Sequence, residues 1–149
     1  MPSLVKPLYT TRATATGGRA GRSTTSDGLL DVPLAVPPEM GGPGGATNPE
    51  QLFAVGYAAC FQSALGVVGR REKVDTAASL VSVEVTIGQV EGGAYGLAVA
   101  IDARIPGVDD ETATKLVEAA HQVCPYSVAT RGNVDATLTA SGAPAGTDA

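Results

Sequence analysis

This chain reads as an α+β domain with antiparallel sheet. Three observations carry that expectation. The candidate elements follow one another as β, β, β, α, β, β, α, β, grouping strands together where a doubly wound fold would alternate each with a helix. Residues 81–87 and 97–105 alternate apolar and polar side chains with period two. Two further segments, after Asn48 and after Asp109, repeat apolar residues at helical spacing behind a capping signal.

Residues 9–16 are rich in Thr and stop at Gly17-Gly18, and residues 22–26 and 29–36 are split by Asp27-Gly28. The first third therefore predicts short antiparallel strands joined by tight turns, with Arg19 just past one of them. Residues 33–49, PLAVPPEMGGPGGATNP, hold too much Pro and Gly for regular structure and predict a connecting loop. That loop ends in TNPEQLF, a helix start with two readings: Thr47 as cap with Glu50 three residues on, or Asn48 as cap with Pro49 first in the helix. Either one puts Glu50 in the first turn. Leu52, Val55, Gly56, Ala59, Cys60, Ser63, Ala64 and Val67 then recur on one face, and Phe53, Tyr57 and Phe61 on another. Such a helix is expected to be enclosed on most sides, with Cys60 at its middle among small residues.

Val81, Val83, Val85 and Ile87 precede EGGAYG, and Leu97, Val99, Ile101, Ala103 and Ile105 follow it, which predicts a hairpin. Asp109 or Asp110 next caps a helix whose apolar stripe is Ala113, Leu116, Val117, Ala120, Val123 and Cys124, until Pro125 stops it. Residues 126–131, closed by Gly132, predict one more helical turn, and Val134, Ala136 and Leu138 a last short strand. The expected organisation is a single domain over residues 1–140 and a frayed polar tail over 141–149.

A chain of 149 residues, 44% hydrophobic and 17% charged, can bury one ordinary core, and with no Trp it must pack on Val, Leu, Ile and Ala. A net charge of -5 argues against nucleic acid or an anionic membrane as the partner, since neither finds counter-charge here. The opening MPSLVKPLYTTR lacks the apolar run of a secretory signal, and two cysteines are too few for a disulfide-rich scaffold, so the cytoplasm is the expected compartment. Residues 51–69 carry no charge and approach the roughly 20 residues that cross a bilayer. Gln51, Gln62, Ser63 and three glycines in that run fit a helix buried in the protein better. Because one small sheet cannot cover so apolar a helix, a second copy completing the core, and hence a homodimer, is expected.

Four chemistries compete for the few reactive side chains. Cys60 and Cys124 each fall on the apolar side of a helix and could form a thiol pair, or both could be small core hydrophobes. Cys60 has no charged residue between Glu50 and Arg70, and apolar burial raises a thiol's pKa, so it is inert unless a distant cation supports the thiolate. A metal site would have to draw on His121, Cys124 and Cys60, one ligand short of an ordinary structural zinc site. GGPGG at residues 41–45 lacks the Lys and Ser or Thr of a phosphate loop, and no Ser sits in a nucleophile elbow to serve with His121. No cofactor is expected from these residues.

TATGGRAGRSTTSDGLLDV, GGPGGATNPEQLFAVGYAACFQSAL and AHQVCPYSVATRGNVDATL, taken together and in order, resemble the organic hydroperoxide resistance proteins, the Ohr branch of the Ohr/OsmC family. The resemblance runs from Leu8 to Leu138. It implies an OsmC-like fold, antiparallel sheets around two central helices in an intertwined homodimer. It also implies that Cys60 is the peroxidatic thiol, Cys124 the resolving thiol, and Arg19 and Glu50 the charged partners that favour the thiolate. The activity implied is reduction of alkyl or fatty acyl hydroperoxides, with a lipoylated protein as the dithiol that resets the enzyme. Two rivals remain beside it: a dimer that carries a lipid-like ligand and has structural cysteines, and a thiol redox sensor.

Overall fold

The computed structural model describes residues 2–143, and the chain divides after Pro49 into two compact units. The first is a three-stranded antiparallel sheet in the order β1(Ala13–Thr16), β2(Arg22–Thr25), β3(Asp31–Pro33). These strands are shorter than the Thr-rich pattern suggested. Residues 9–12 stay outside β1, and Leu29 and Leu30 belong to the turn, because Asp27 accepts the Leu29 N–H at 3.0 Å and Thr25 Oγ1 at 2.7 Å. Arg22 is held by Asp31 across the β2–β3 pair at 2.6 Å. Between β1 and β2, Gly17 and Gly18 both take positive φ, which lets a single 3-10 turn, Gly18–Ala20, carry Arg19. A second such turn, Pro38–Met40, interrupts the Pro- and Gly-rich loop.

Helix α1(Pro49–Glu72) leads into the second unit, so Pro49 takes the first helical position and Asn48 the flanking one, the second of the two expected starts. The hairpin follows as β4(Leu80–Gln89) and β5(Tyr95–Pro106), in a register that pairs Val83 with Ile101. Its connection closes through Val90 N–H to Ala94 O at 2.8 Å, with Gly92 and Gly93 at positive φ. Next come α2(Asp110–Val123), capped by Asp109 accepting the Thr112 N–H at 2.7 Å, the short α3(Pro125–Thr130), and β6(Asp135–Ala143).

The α+β class holds, but the second sheet is mixed, because β6 pairs parallel to β5. Helices α2 and α3 form the crossover that a parallel pairing requires, and Asp110 fastens it by accepting the Gly142 N–H at 2.8 Å. Strand β6 also runs to Ala143, three residues into the segment expected to be tail; residues 144–149 of that tail lie outside the described residues.

The core of this unit lies between α1, α2 and one face of the sheet. Val99, Ile101, Ala103 and Ile105 of β5 are buried there with Ala113, Leu116, Val117 and Ala120 of α2. On α1 the aromatic face does the packing: Tyr57, Phe61 and Leu65 are fully buried. One stripe of the helix is exposed, with Ala59, Gln62 and Ser63 open and Val55 71% exposed, while the rest of residues 52–69 is buried or half-buried. The helix is long and apolar enough to cross a membrane by length and composition, yet its aromatic face is spent on this core.

Candidate active site

Two free thiols meet in the second unit. Cys60 sits midway along α1, half-buried, and Cys124, fully buried, occupies the junction between α2 and α3. Their sulfurs are 3.7 Å apart, close enough for a sulfur hydrogen bond. Pro125 explains the placement of the second thiol. A residue before proline is driven out of the helical region, and Cys124 takes the extended φ -63°, ψ 123° that ends α2, while Pro125 opens α3 at its first position.

The surroundings of Cys60 are mostly hostile to a thiolate. Burial pushes its pKa above the ordinary thiol value; the Tyr126 backbone N–H, which donates to the sulfur, works against that, and Cys124 adds to the rise through its hydrogen bond and its own charge. The sulfur therefore stays protonated at neutral pH unless positive charge reaches it from elsewhere.

An aromatic wall stands beside the pair. Phe53, Tyr57 and Tyr126 pack with ring centroids 5.4–5.9 Å apart. Tyr126 lies across α1 at Gly56, where an added Cβ would come within 2.7 Å of the tyrosine hydroxyl, so a larger residue one turn before Cys60 would push the ring aside.

Behind the wall runs a buried polar chain. Tyr57 Oη is 2.8 Å from Ser127 Oγ and 3.3 Å from Thr130 Oγ1, and Ser127 Oγ is 2.9 Å from His121 Nδ1. Arg131 donates to the His121 carbonyl at 2.6 Å. Burial, then the Arg131 charge, holds the His121 pKa below the usual imidazole value, so the ring is neutral at pH 7. His121 is thus committed to a hydroxyl, and among the described residues no three His, Cys, Asp or Glu side chains converge to hold a metal ion.

Of the four residues the family resemblance nominated, Cys60 and Cys124 are brought together. Arg19 lies in the Gly18–Ala20 turn of the first unit, and Glu50 is half-buried in the first turn of α1. Sequence reasoning named Gly56 and Tyr57 only for their helix faces and His121 only as a metal or triad candidate, and it passed over Tyr126, Ser127 and the bonds that join them. Tyr57, Tyr126 and Ser127 stood inside the motifs GYAACF and VCPYS, but nothing in their spacing reveals a shared hydrogen bond.

Residues 42–139 match the family model described as OsmC-like protein. The chain is 52% identical over 141 residues to the organic hydroperoxide resistance protein of Xanthomonas axonopodis pv. citri, covering 93% of this chain and 99% of that one. Among solved structures, an organic hydroperoxide resistance protein from Elizabethkingia anophelis, with thiocyanate bound, matches with a TM-score of 0.88 at 50% identity, covering 93% of this chain and 99% of the other. OhrB of Bacillus subtilis matches with a TM-score of 0.82 at 43% identity, covering 89% and 98% respectively.

Proposed function

The chain belongs to the organic hydroperoxide resistance branch of the OsmC-like family, and from that membership we propose that it detoxifies organic hydroperoxides as a two-cysteine peroxidase. The observation that carries the mechanism is the 3.7 Å approach of two free thiols from distant parts of the chain. A disulfide needs a sulfur separation of about 2.05 Å, so a small movement bonds them.

The chemistry runs in three steps. The Cys60 thiolate attacks the terminal oxygen of ROOH, the O–O bond breaks, and the alkoxide leaves and takes a proton to become ROH. Sulfur loses two electrons and becomes a sulfenic acid. Cys124, as thiolate, then attacks Cys60 sulfur and expels hydroxide, which leaves as water once protonated, and a disulfide remains. A dithiol donor, for which we take a lipoylated protein, reduces it by exchange. Arg19 supplies the positive charge that the second unit does not offer Cys60, and Glu50 holds Arg19 through a charge-assisted pair. The exposed face of α1 around Val55 and Ala59 supports a homodimer as the working form.

The partly exposed rings of Phe53 and Tyr126 favour a peroxide with an apolar tail, which gains roughly 25 cal/mol for each Å² removed from water. We expect kcat/KM with a dihydrolipoyl donor to rise from H₂O₂ to tert-butyl hydroperoxide to a fatty acyl hydroperoxide. Steady-state assays on the three substrates decide it, and a preference for H₂O₂ contradicts the reading.

A further inference from the structure

The polar chain Tyr57–Ser127–His121 is placed with respect to both sulfurs. Tyr57 is one helical turn before Cys60, His121 one turn before Cys124, and Ser127 one turn after it, on α1, α2 and α3 respectively. Only α1 carries Cys60, whereas Cys124 hangs on the break between α2 and α3, where Pro125 has removed helical continuity. A hinge at that point would let the second sulfur swing away from the first. Ser127, fully buried, bridges the two sides of the break to α1 through bonds of 2.8 Å to Tyr57 and 2.9 Å to His121.

Proton bookkeeping agrees with a fixed chain. With His121 neutral and its proton on Nε2, Tyr57 donates to Ser127, Ser127 donates to Nδ1, and Thr130 donates to the Ser127 carbonyl at 3.3 Å. Each hydroxyl hydrogen is used once. Among the described residues no buried side-chain nitrogen or oxygen lacks a partner, and replacing any member removes a bond that ties the break to α1.

We infer that Tyr57, Ser127 and His121 are positioning residues for the resolving step, clamping the Cys124 turn onto α1 so that the second sulfur stands ready at the first. The inference rests on the peroxidase reading and adds to it a part that touches neither peroxide nor reductant. The clamp acts on disulfide formation, and much less on attack at the peroxide, since it fixes where Cys124 is and not the charge on Cys60.

The test is rapid quench of the reduced protein with one equivalent of tert-butyl hydroperoxide, trapping sulfenic acid with dimedone and weighing the products intact. In Ser127→Ala, and in Tyr57→Phe, which keeps the ring, the ratio of the disulfide-forming rate to the first-step rate should fall about tenfold, the worth of one buried hydrogen bond. His121→Asn, whose side-chain amide can stand in for Nδ1, should keep the ratio where His121→Ala loses it. A wild-type ratio in Ser127→Ala and Tyr57→Phe overturns the clamp, and Tyr57→Phe alone decides if Ser127→Ala does not fold. Wild-type thiols that survive the hydroperoxide count against the peroxidase reading instead. The same variants are then compared in glutathione redox buffers, where a clamp predicts a bridging equilibrium constant about tenfold smaller in the variants and an equal constant overturns it.

Discussion

Cys60→Ser is expected to bring hydroperoxide turnover down to the uncatalysed background while leaving the fold intact. A hydroxyl is a far weaker nucleophile than a thiolate at neutral pH, and it cannot form the sulfenic acid on which the later steps depend. The replacement is nearly the same size, and Cys60 is only half-buried at the edge of the core, so little packing is lost. Cys124→Ser makes the informative contrast. Its Cys60 should still react once with peroxide, accumulate as sulfenic acid, and stall unless an added thiol resolves it. A dihydrolipoyl-coupled assay reads both variants. Full turnover in Cys60→Ser would mean that the sulfur at this position is structural and that another group carries the chemistry.

Arg19→Ala is expected to slow the first step by about 10²-fold, the scale seen when one preorganised charge partner of a reacting group is removed. The reason lies in the forces on Cys60 within its own unit. Burial raises its pKa first and most, the Tyr126 N–H lowers it, and Cys124 raises it again. A group whose neutral form is the protonated one becomes reactive only as pH rises through its pKa, so losing a nearby cation moves the onset of reactivity upward in pH. Alkylation of Cys60 by iodoacetamide, followed from pH 5 to 10 in a Cys124→Ser background, should show the midpoint displaced to higher pH in Arg19→Ala and much less displaced in Arg19→Lys. A midpoint that does not move would assign the thiolate's stabilisation to another group.

Much of this fold was legible in the sequence where one local rule governs each element. Alternation at Val81, Val83, Val85 and Ile87 marked β4, the pair Asp109-Asp110 marked the start of α2, with Asp109 proving to be the cap, and Pro125 marked its end. What stayed hidden depends on partners distant in sequence. The alternation of Ala136 and Leu138 is the same whether a strand pairs parallel or antiparallel, so β6 beside β5 could not be read from it. The faces of α1 were assigned by side-chain size, yet which face is buried is decided by the sheet and α2 packing on Tyr57, Phe61 and Leu65. For the candidate site, residue type and motif singled out the cysteines, whereas the chain from Tyr57 to His121 draws one residue from each of three helices and leaves no trace in spacing.

The most direct measurement is intact mass spectrometry of the reduced protein after one equivalent of an organic hydroperoxide, with non-reducing peptide mapping of the product. A redox-active pair 3.7 Å apart predicts the loss of two hydrogens and a single bridge between Cys60 and Cys124 within one chain. A protein whose mass is unchanged and whose two thiols remain free to alkylate would contradict it.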